Sequence, residues 1–122
     1  MAELIRAVII DDNLSSLELL SAALEQKGLA LHTASDPRQG LELVRTLRPQ
    51  LVITDLVMPG GMSGYELSTR VRSLYPDIRV LLTSGYAEEL AKGDHLAEQF
   101  KVLRKPYRQA ELAAAVEDVL KR

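Results

Sequence analysis

The sequence predicts an α/β fold in which a parallel five-stranded sheet carries helices on both of its faces. Three observations predict it. Short runs at 7–10, 51–54 and 80–82, apolar but for Thr54, are too short for helices and apolar enough to be strands buried on both sides. The stretches between them carry leucine or valine at helical spacing. The two kinds of segment alternate with no linker, repeat or low-complexity tract, so the connections are crossovers and the sheet is parallel.

Taken in order, Ala7-Val8-Ile9-Ile10 is the first strand and ends in Asp11-Asp12-Asn13. Leu14, Leu17, Leu20 and Leu24 then recur as one helix stripe, with Asn13 or Ser15 as the cap and Gly28 as the stop. Residues 29–34, with His32 and Thr33, read as a more polar edge strand. Asp36-Pro37 follows as an N-cap and a proline in the first turn. Leu41, Val44 and Leu47 mark the second helix, which Pro49 helps to end before the strand at 51–54 and Asp55. Met58-Pro59-Gly60-Gly61 fits neither period and is a loop. Leu67, Val71 and Leu74 outline a third helix ending near Pro76.

Val80-Leu81-Leu82 is the fourth strand, Thr83-Ser84-Gly85 a turn, and 87–92 a short helix that Gly93-Asp94 interrupts. Val102-Leu103 is the fifth strand and Lys105-Pro106 a turn. Leu112, Val116, Val119 and Leu120 form the apolar face of the last helix.

A length of 122 residues fits one domain, 1–122, and leaves no room for a second core. The chain is 47% hydrophobic and 26% charged, the balance of a folded domain rather than a disordered segment. A net charge of −2 provides no basic field, so nucleic acid is not an expected partner. The absence of cysteine removes disulfides, thiolate zinc sites and thiol catalysis together. No signal-peptide core opens the chain and no apolar run approaches the roughly 18 residues of a membrane span, so a cytoplasmic protein without a membrane anchor is expected. His32 and His95 have no second ligand at zinc spacing and are read as surface positions.

In a sheet of this kind ligands bind beyond the carboxyl ends of the strands, where strand order reverses. Asp11 and Asp12 follow strand one, Asp55 strand three, Ser84 strand four and Lys105 strand five. If the order is 2-1-3-4-5, strands one and three adjoin and three carboxylates crowd together, at a cost that a hard divalent cation relieves. Oxygen donors in small number suit Mg2+, which is usually completed by a substrate phosphate. A carboxylate can attack phosphorus to give an aspartyl phosphate, with Lys105 pairing one phosphate oxygen and Ser84 hydrogen-bonding another. Alone, an Asp-Asp-Asn cluster is more often turn and cap chemistry, and Lys105 a solvated lysine. Their joint placement at strand ends favours the functional reading.

The segments "VIIDDN", "LVITDLVMPGG", "LLTSGY" and "LRKPY" together resemble the receiver domains of two-component response regulators and hybrid histidine kinases, the CheY-like superfamily, over essentially the whole chain. The resemblance implies a flavodoxin-like (βα)5 three-layer sandwich of strand order 2-1-3-4-5. It makes Asp55 the phosphoacceptor, with Asp12 and Asp55 as direct Mg2+ ligands and the backbone carbonyl of Val57 completing the protein's share. Asp11 belongs to the acidic pair and acts through water, Ser84 is the hydroxyl position because Gly85 follows it, and Lys105 is the lysine that commonly precedes a cis proline. The implied partners are a sensor or hybrid histidine kinase or a histidine phosphotransfer protein as donor. A downstream protein would bind through the face of the fourth helix, fifth strand and fifth helix. Such a domain is no enzyme beyond catalysing its own phosphorylation and dephosphorylation.

The chain departs from the family pattern in two places. The Gly60-Gly61 pair lengthens the loop after Asp55 by one residue, as in receivers allied to hybrid kinases. Val102 stands where many regulators carry the aromatic that changes rotamer on activation, and Phe100, two residues earlier, lies two strand rises away. Val57 and Tyr86, flanking the site, are expected to hinder water and to slow loss of the phosphoryl group. Three other readings compete with a phosphoacceptor. A phosphorylation-independent receiver-like adaptor is disfavoured by retention of Asp12, Asp55 and Lys105. An aspartate-nucleophile phosphohydrolase would need an acid where Val57 stands, and a flavodoxin a phosphate-cradling loop where the chain has acids.

Overall fold

A computed structural model describes residues 5–58, 62–85 and 100–121. Its elements are β1 (Arg6–Ile10), α1 (Leu14–Glu25), β2 (Ala30–Ala34), α2 (Pro37–Leu47), β3 (Leu51–Asp55), α3 (Gly64–Leu74), β4 (Arg79–Ser84), β5 (Lys101–Arg104) and α4 (Gln109–Lys121). The five strands form one sheet of order β2-β1-β3-β4-β5, with every pair parallel, as the fold class requires. The short helix expected at 87–92, the Gly60-Gly61 pair, Tyr86 and His95 lie outside the described residues.

Alternation along the strands splits the core in two. Ala7, Ile9, Leu51, Ile53, Leu81 and Leu103 face α1 and α4, where Leu17, Leu20, Leu24, Leu112 and Val116 complete one cluster. Val8, Ile10, Val52, Val80 and Leu82 face α2 and α3, where they meet Val44, Leu67 and Val71. β1 and β3 are buried along almost their whole length, which is why 7–10 and 51–53 are continuously apolar. β2, at the sheet edge, leaves His32 and Thr33 exposed.

The helix starts follow from local chemistry. Asn13 Oδ1 accepts the Ser16 amide at 3.0 Å, Asp36 Oδ1 that of Gln39 at 2.9 Å, and Ser63 Oγ that of Glu66 at 3.1 Å. At α4 the Glu111 carboxylate reaches back to the Arg108 amide at 2.9 Å, half of a capping box. Asn13, not Ser15, is therefore the first cap. Helix α1 ends at Gln26, and Gly28 takes the turn with a positive φ of 83°. Among the described residues no helix is long and apolar enough to cross a membrane.

Three expectations are corrected. Thr83 and Ser84 are not a turn but the last two residues of β4, because Thr83 pairs with Asp55 and Ser84 with Arg104. Asp55 likewise closes β3 instead of following it. Leu14 and Leu74, counted in helix stripes, are 68% and 64% exposed: they lie at helix ends, where the apolar period runs past the edge of the sheet.

Candidate functional site

The site is built by strand register. Ile10 pairs with Thr54, so Asp11 and Asp55 follow side by side, and Asp55 pairs with Thr83 on its other flank. Asp11, Asp55 and Thr83 each come two residues after a member of the core under α1 and α4, namely Ile9, Ile53 and Leu81, and so share that face. One carboxylate oxygen from each of Asp11, Asp12 and Asp55 lies within 4.8 Å of the other two. Asp11 and Asp55 are buried and Asp12 exposed, so the cluster opens to solvent on one side.

Lys105 reaches into the cluster from the end of β5. Its Nζ is 3.3 Å from Asp55 Oδ1 and 3.5 Å from Asp11 Oδ2. Partial burial alone would depress the ammonium pKa, but the charges of Asp55 and then Asp11, with their hydrogen bonds, outweigh it and hold Lys105 above its ordinary value. The Lys105–Pro106 peptide bond is cis, as expected. Asp55 Oδ1 also accepts the Leu56 amide at 3.1 Å. Asp11 Oδ1 accepts the Asn13 amide at 2.9 Å, so Asp11 does serve the turn after β1, while its buried Oδ2 is paired with the Lys105 ammonium 3.5 Å away.

Two hydroxyls end β4. Ser84 Oγ is buried and makes no hydrogen bond among the described residues, and alternation sets it on the face of Leu82 and Val102. Thr83 Oγ1 is equally buried and unbonded but belongs to the face of Asp55. Val57 follows the strand at 45% exposure, its backbone leaving β3 at the rim of the cluster.

Sequence reasoning missed three residues here. Gly64 begins α3 with its amide donating to Leu56 O at 2.7 Å, and a Cβ on it would stand 2.7 Å from the Asp55 carbonyl carbon and 2.9 Å from Leu56 Cα. The signal was a lone glycine after a capping serine, which looks like loop punctuation. Tyr107 packs half-buried against the α1/α4 cluster, and burial, with Asp11 and then Asp55 adding to it, pushes its phenol up to about 12. It therefore stays neutral beside the acids. Thr83, beside Ser84 and Gly85, has the composition of a turn in the sequence.

On the other face Phe100 is buried, edge-on to Tyr65 with ring centroids 6.1 Å apart, and the Arg72 guanidinium stacks 3.9 Å above its centroid. Phe100 and Val102 pack against the same α2/α3 cluster, as their spacing predicts. Phe100 is a core anchor for α3.

The donor set fits a hard divalent cation: three carboxylates in reach of one another, only oxygen ligands, and one exposed member through which the ion could enter. The single lysine leaves the cluster with a surplus of negative charge.

Comparison with known proteins agrees with this geometry. Residues 7–117 match the response regulator receiver domain family. Among curated relatives, the sensor kinase CckA of Brucella abortus is 33% identical over 82% of this chain, which spans 11% of that kinase. The response regulator MprA of Mycolicibacterium vanbaalenii is 30% identical over 97% of this chain, which spans 51% of that regulator. Sporulation initiation phosphotransferase F of Bacillus subtilis is 30% identical, with 80% of this chain and 84% of that protein covered. Among solved structures, a response regulator receiver domain protein from Clostridium thermocellum superposes with a TM-score of 0.87 at 27% identity, covering 98% of this chain and 96% of that one. The chemotaxis protein CheY4 of Vibrio cholerae superposes with a TM-score of 0.78 at 25% identity, covering 96% and 99%. A five-stranded parallel sheet of order 2-1-3-4-5, acids at the switch point and a lysine after the last strand are thus the features of a chain that belongs to the response regulator receiver domain family, the phosphoacceptor domains of two-component signalling.

Proposed function

We propose that Asp55 is the residue that accepts the phosphoryl group, from the phosphohistidine of a sensor or hybrid histidine kinase or of a histidine phosphotransfer protein. The observation that carries this reading is the convergence of Asp11, Asp12 and Asp55 within 4.8 Å with Lys105 Nζ 3.3 Å from Asp55. An Asp55 oxygen forms the bond to phosphorus as the bond from phosphorus to the donor's imidazole nitrogen breaks. The electron pair stays on that nitrogen, and the proton already on the other ring nitrogen leaves the product imidazole neutral.

Mg2+, held by Asp12, Asp55 and the Val57 backbone carbonyl with Asp11 acting through water, would neutralise charge on the phosphoryl oxygens when bound. Lys105 pairs with a phosphoryl oxygen, exchanging a carboxylate partner for it, and Ser84 offers a hydroxyl to another. Val57 shields the phosphorus from water. Catalysis in this sense is confined to the domain's own phosphorylation and dephosphorylation.

Residues 1–122 are read as one such domain, working in the cytoplasm and passing its state on by protein contact through β5, α4 and the segment before them, without contacting nucleic acid. Retention of every acid and of Lys105 favours this over a phosphorylation-independent adaptor. Native and Asp55→Asn protein are incubated with Mg2+ and acetyl phosphate, or with a phosphorylated kinase, and weighed intact. One phosphoryl adduct on the native chain alone is expected. No adduct from either donor overturns the proposal in favour of the adaptor.

A further inference from the structure

Thr83 is 1% exposed, and its Oγ1 makes no hydrogen bond among the described residues. A hydroxyl left in that state costs more than a methyl group would in the same place. Valine, which fills nearly the same volume, would be the cheaper choice for a position with only a packing role. The position is also not arbitrary. Thr83 is the register partner of Asp55, one strand over and on the same face, in a row that runs from Asp11, just past the end of β1, to Asp55 in β3 and Thr83 in β4. Ser84, the hydroxyl that the family pattern singles out, belongs to the opposite face.

We propose that Thr83 is a positioning residue for phosphorylation. Unbonded in the resting structure, its hydroxyl turns during phosphorylation to donate a hydrogen bond to the Asp55 oxygen that does not bond to phosphorus, and so fixes the rotation of the carboxylate while the other oxygen attacks. Ser84 and Thr83 then divide the work, one addressing the phosphoryl group from the α3 face and the other holding the nucleophile from the α4 face. The inference rests on the reading of Asp55 as phosphoacceptor.

The test compares native protein with the Thr83→Val, Thr83→Ser and Asp55→Asn variants, measuring the rate of adduct formation from acetyl phosphate with Mg2+ and the urea midpoint of each. A charge-assisted hydrogen bond at the nucleophile corresponds to roughly a tenfold slower phosphorylation in Thr83→Val. Its stability should be equal to or above native, because a buried unpaired hydroxyl has gone. Thr83→Ser, which keeps the hydroxyl, should phosphorylate within about twofold of native. Native-rate phosphorylation of Thr83→Val overturns the inference and leaves the assignment of Asp55 intact. A serine variant as slow as the valine variant overturns it too, since bulk rather than the hydroxyl would then matter. If the native chain takes no adduct, both the inference and the assignment of Asp55 fall.

Discussion

Replacing Gly64 with alanine separates a backbone constraint from ordinary packing. The added Cβ would lie 2.7 Å from the carbonyl carbon of Asp55, 2.9 Å from Leu56 Cα and nearer still to the Asp55 carbonyl oxygen. All three are backbone atoms of the strand that carries the nucleophile, so no side chain can swing aside. Relief requires moving the start of α3 or the end of β3 by about an ångström, and such overpacking costs about 3 kcal/mol or somewhat more. For a domain of this size that is about a quarter to a half of a typical total stability. Gly40→Ala is the internal control, since its Cβ would meet Ile10 side-chain atoms, 2.7 Å from Cγ1, which can rotate or shift. It should cost about 1–2 kcal/mol. Urea unfolding gives both numbers through midpoints at unchanged slope. The Gly64 variant should also phosphorylate slowly under conditions where it is still folded, because the shift moves Asp55 itself. A Gly64→Ala protein within about 1 kcal/mol of native, or one less affected than Gly40→Ala, would refute the reasoning.

Three further outcomes can be checked. Lys105→Met should lower stability in EDTA by about 1–3 kcal/mol, since it strips the counter-charge from buried Asp11 and from Asp55, and millimolar Mg2+ should restore most of the loss; a variant insensitive to Mg2+ in thermal melts would contradict this. Val57→Asn should shorten the lifetime of the aspartyl phosphate several-fold by admitting and orienting water, as followed by decay of the intact-mass adduct; a longer lifetime than native refutes the shielding role. Phe100→Leu should cost about 2 kcal/mol by loss of the edge contact with Tyr65 and the stack under Arg72, and a double-mutant cycle with Arg72→Ala should return a coupling of about 0.5–1 kcal/mol.

How much of this was legible beforehand depended on whether the signal was local. Strands β1 and β3 were readable because burial on both faces makes 7–10 and 51–53 continuously apolar. The caps at Asn13 and Asp36 were readable because their hydrogen bonds reach only three residues along the chain. Asp11, Asp12, Asp55 and Lys105 could be gathered into one site from strand order alone, since a parallel sheet sends every strand end to the same rim. What escaped was decided by pairing across strands or between layers. Thr83 and Ser84 look like turn residues until β4 is laid against β3 and β5, whose ladder they extend. Gly64 looks like flexibility until the Asp55 backbone is placed beneath it. Leu14 and Leu74 fit a helical period that says nothing about where the sheet stops supporting the helix.

The closure at Gly64 has a consequence for engineering. The Leu56 amide is held by Thr83 O at 2.8 Å and the Leu56 carbonyl by the Gly64 amide at 2.7 Å, so the connection from β3 to α3 leaves and returns at nearly one point, whatever lies between. With its ends set by the scaffold, doubling the length of such a connection adds only about 0.6 kcal/mol of closure entropy. Extra glycine there is cheap, and a longer graft should be too. A foreign epitope or sensor peptide inserted between Met58 and Met62 would ride within a few residues of Asp55 without altering the register that builds the acid cluster, making this loop the natural port for coupling a new input to the domain.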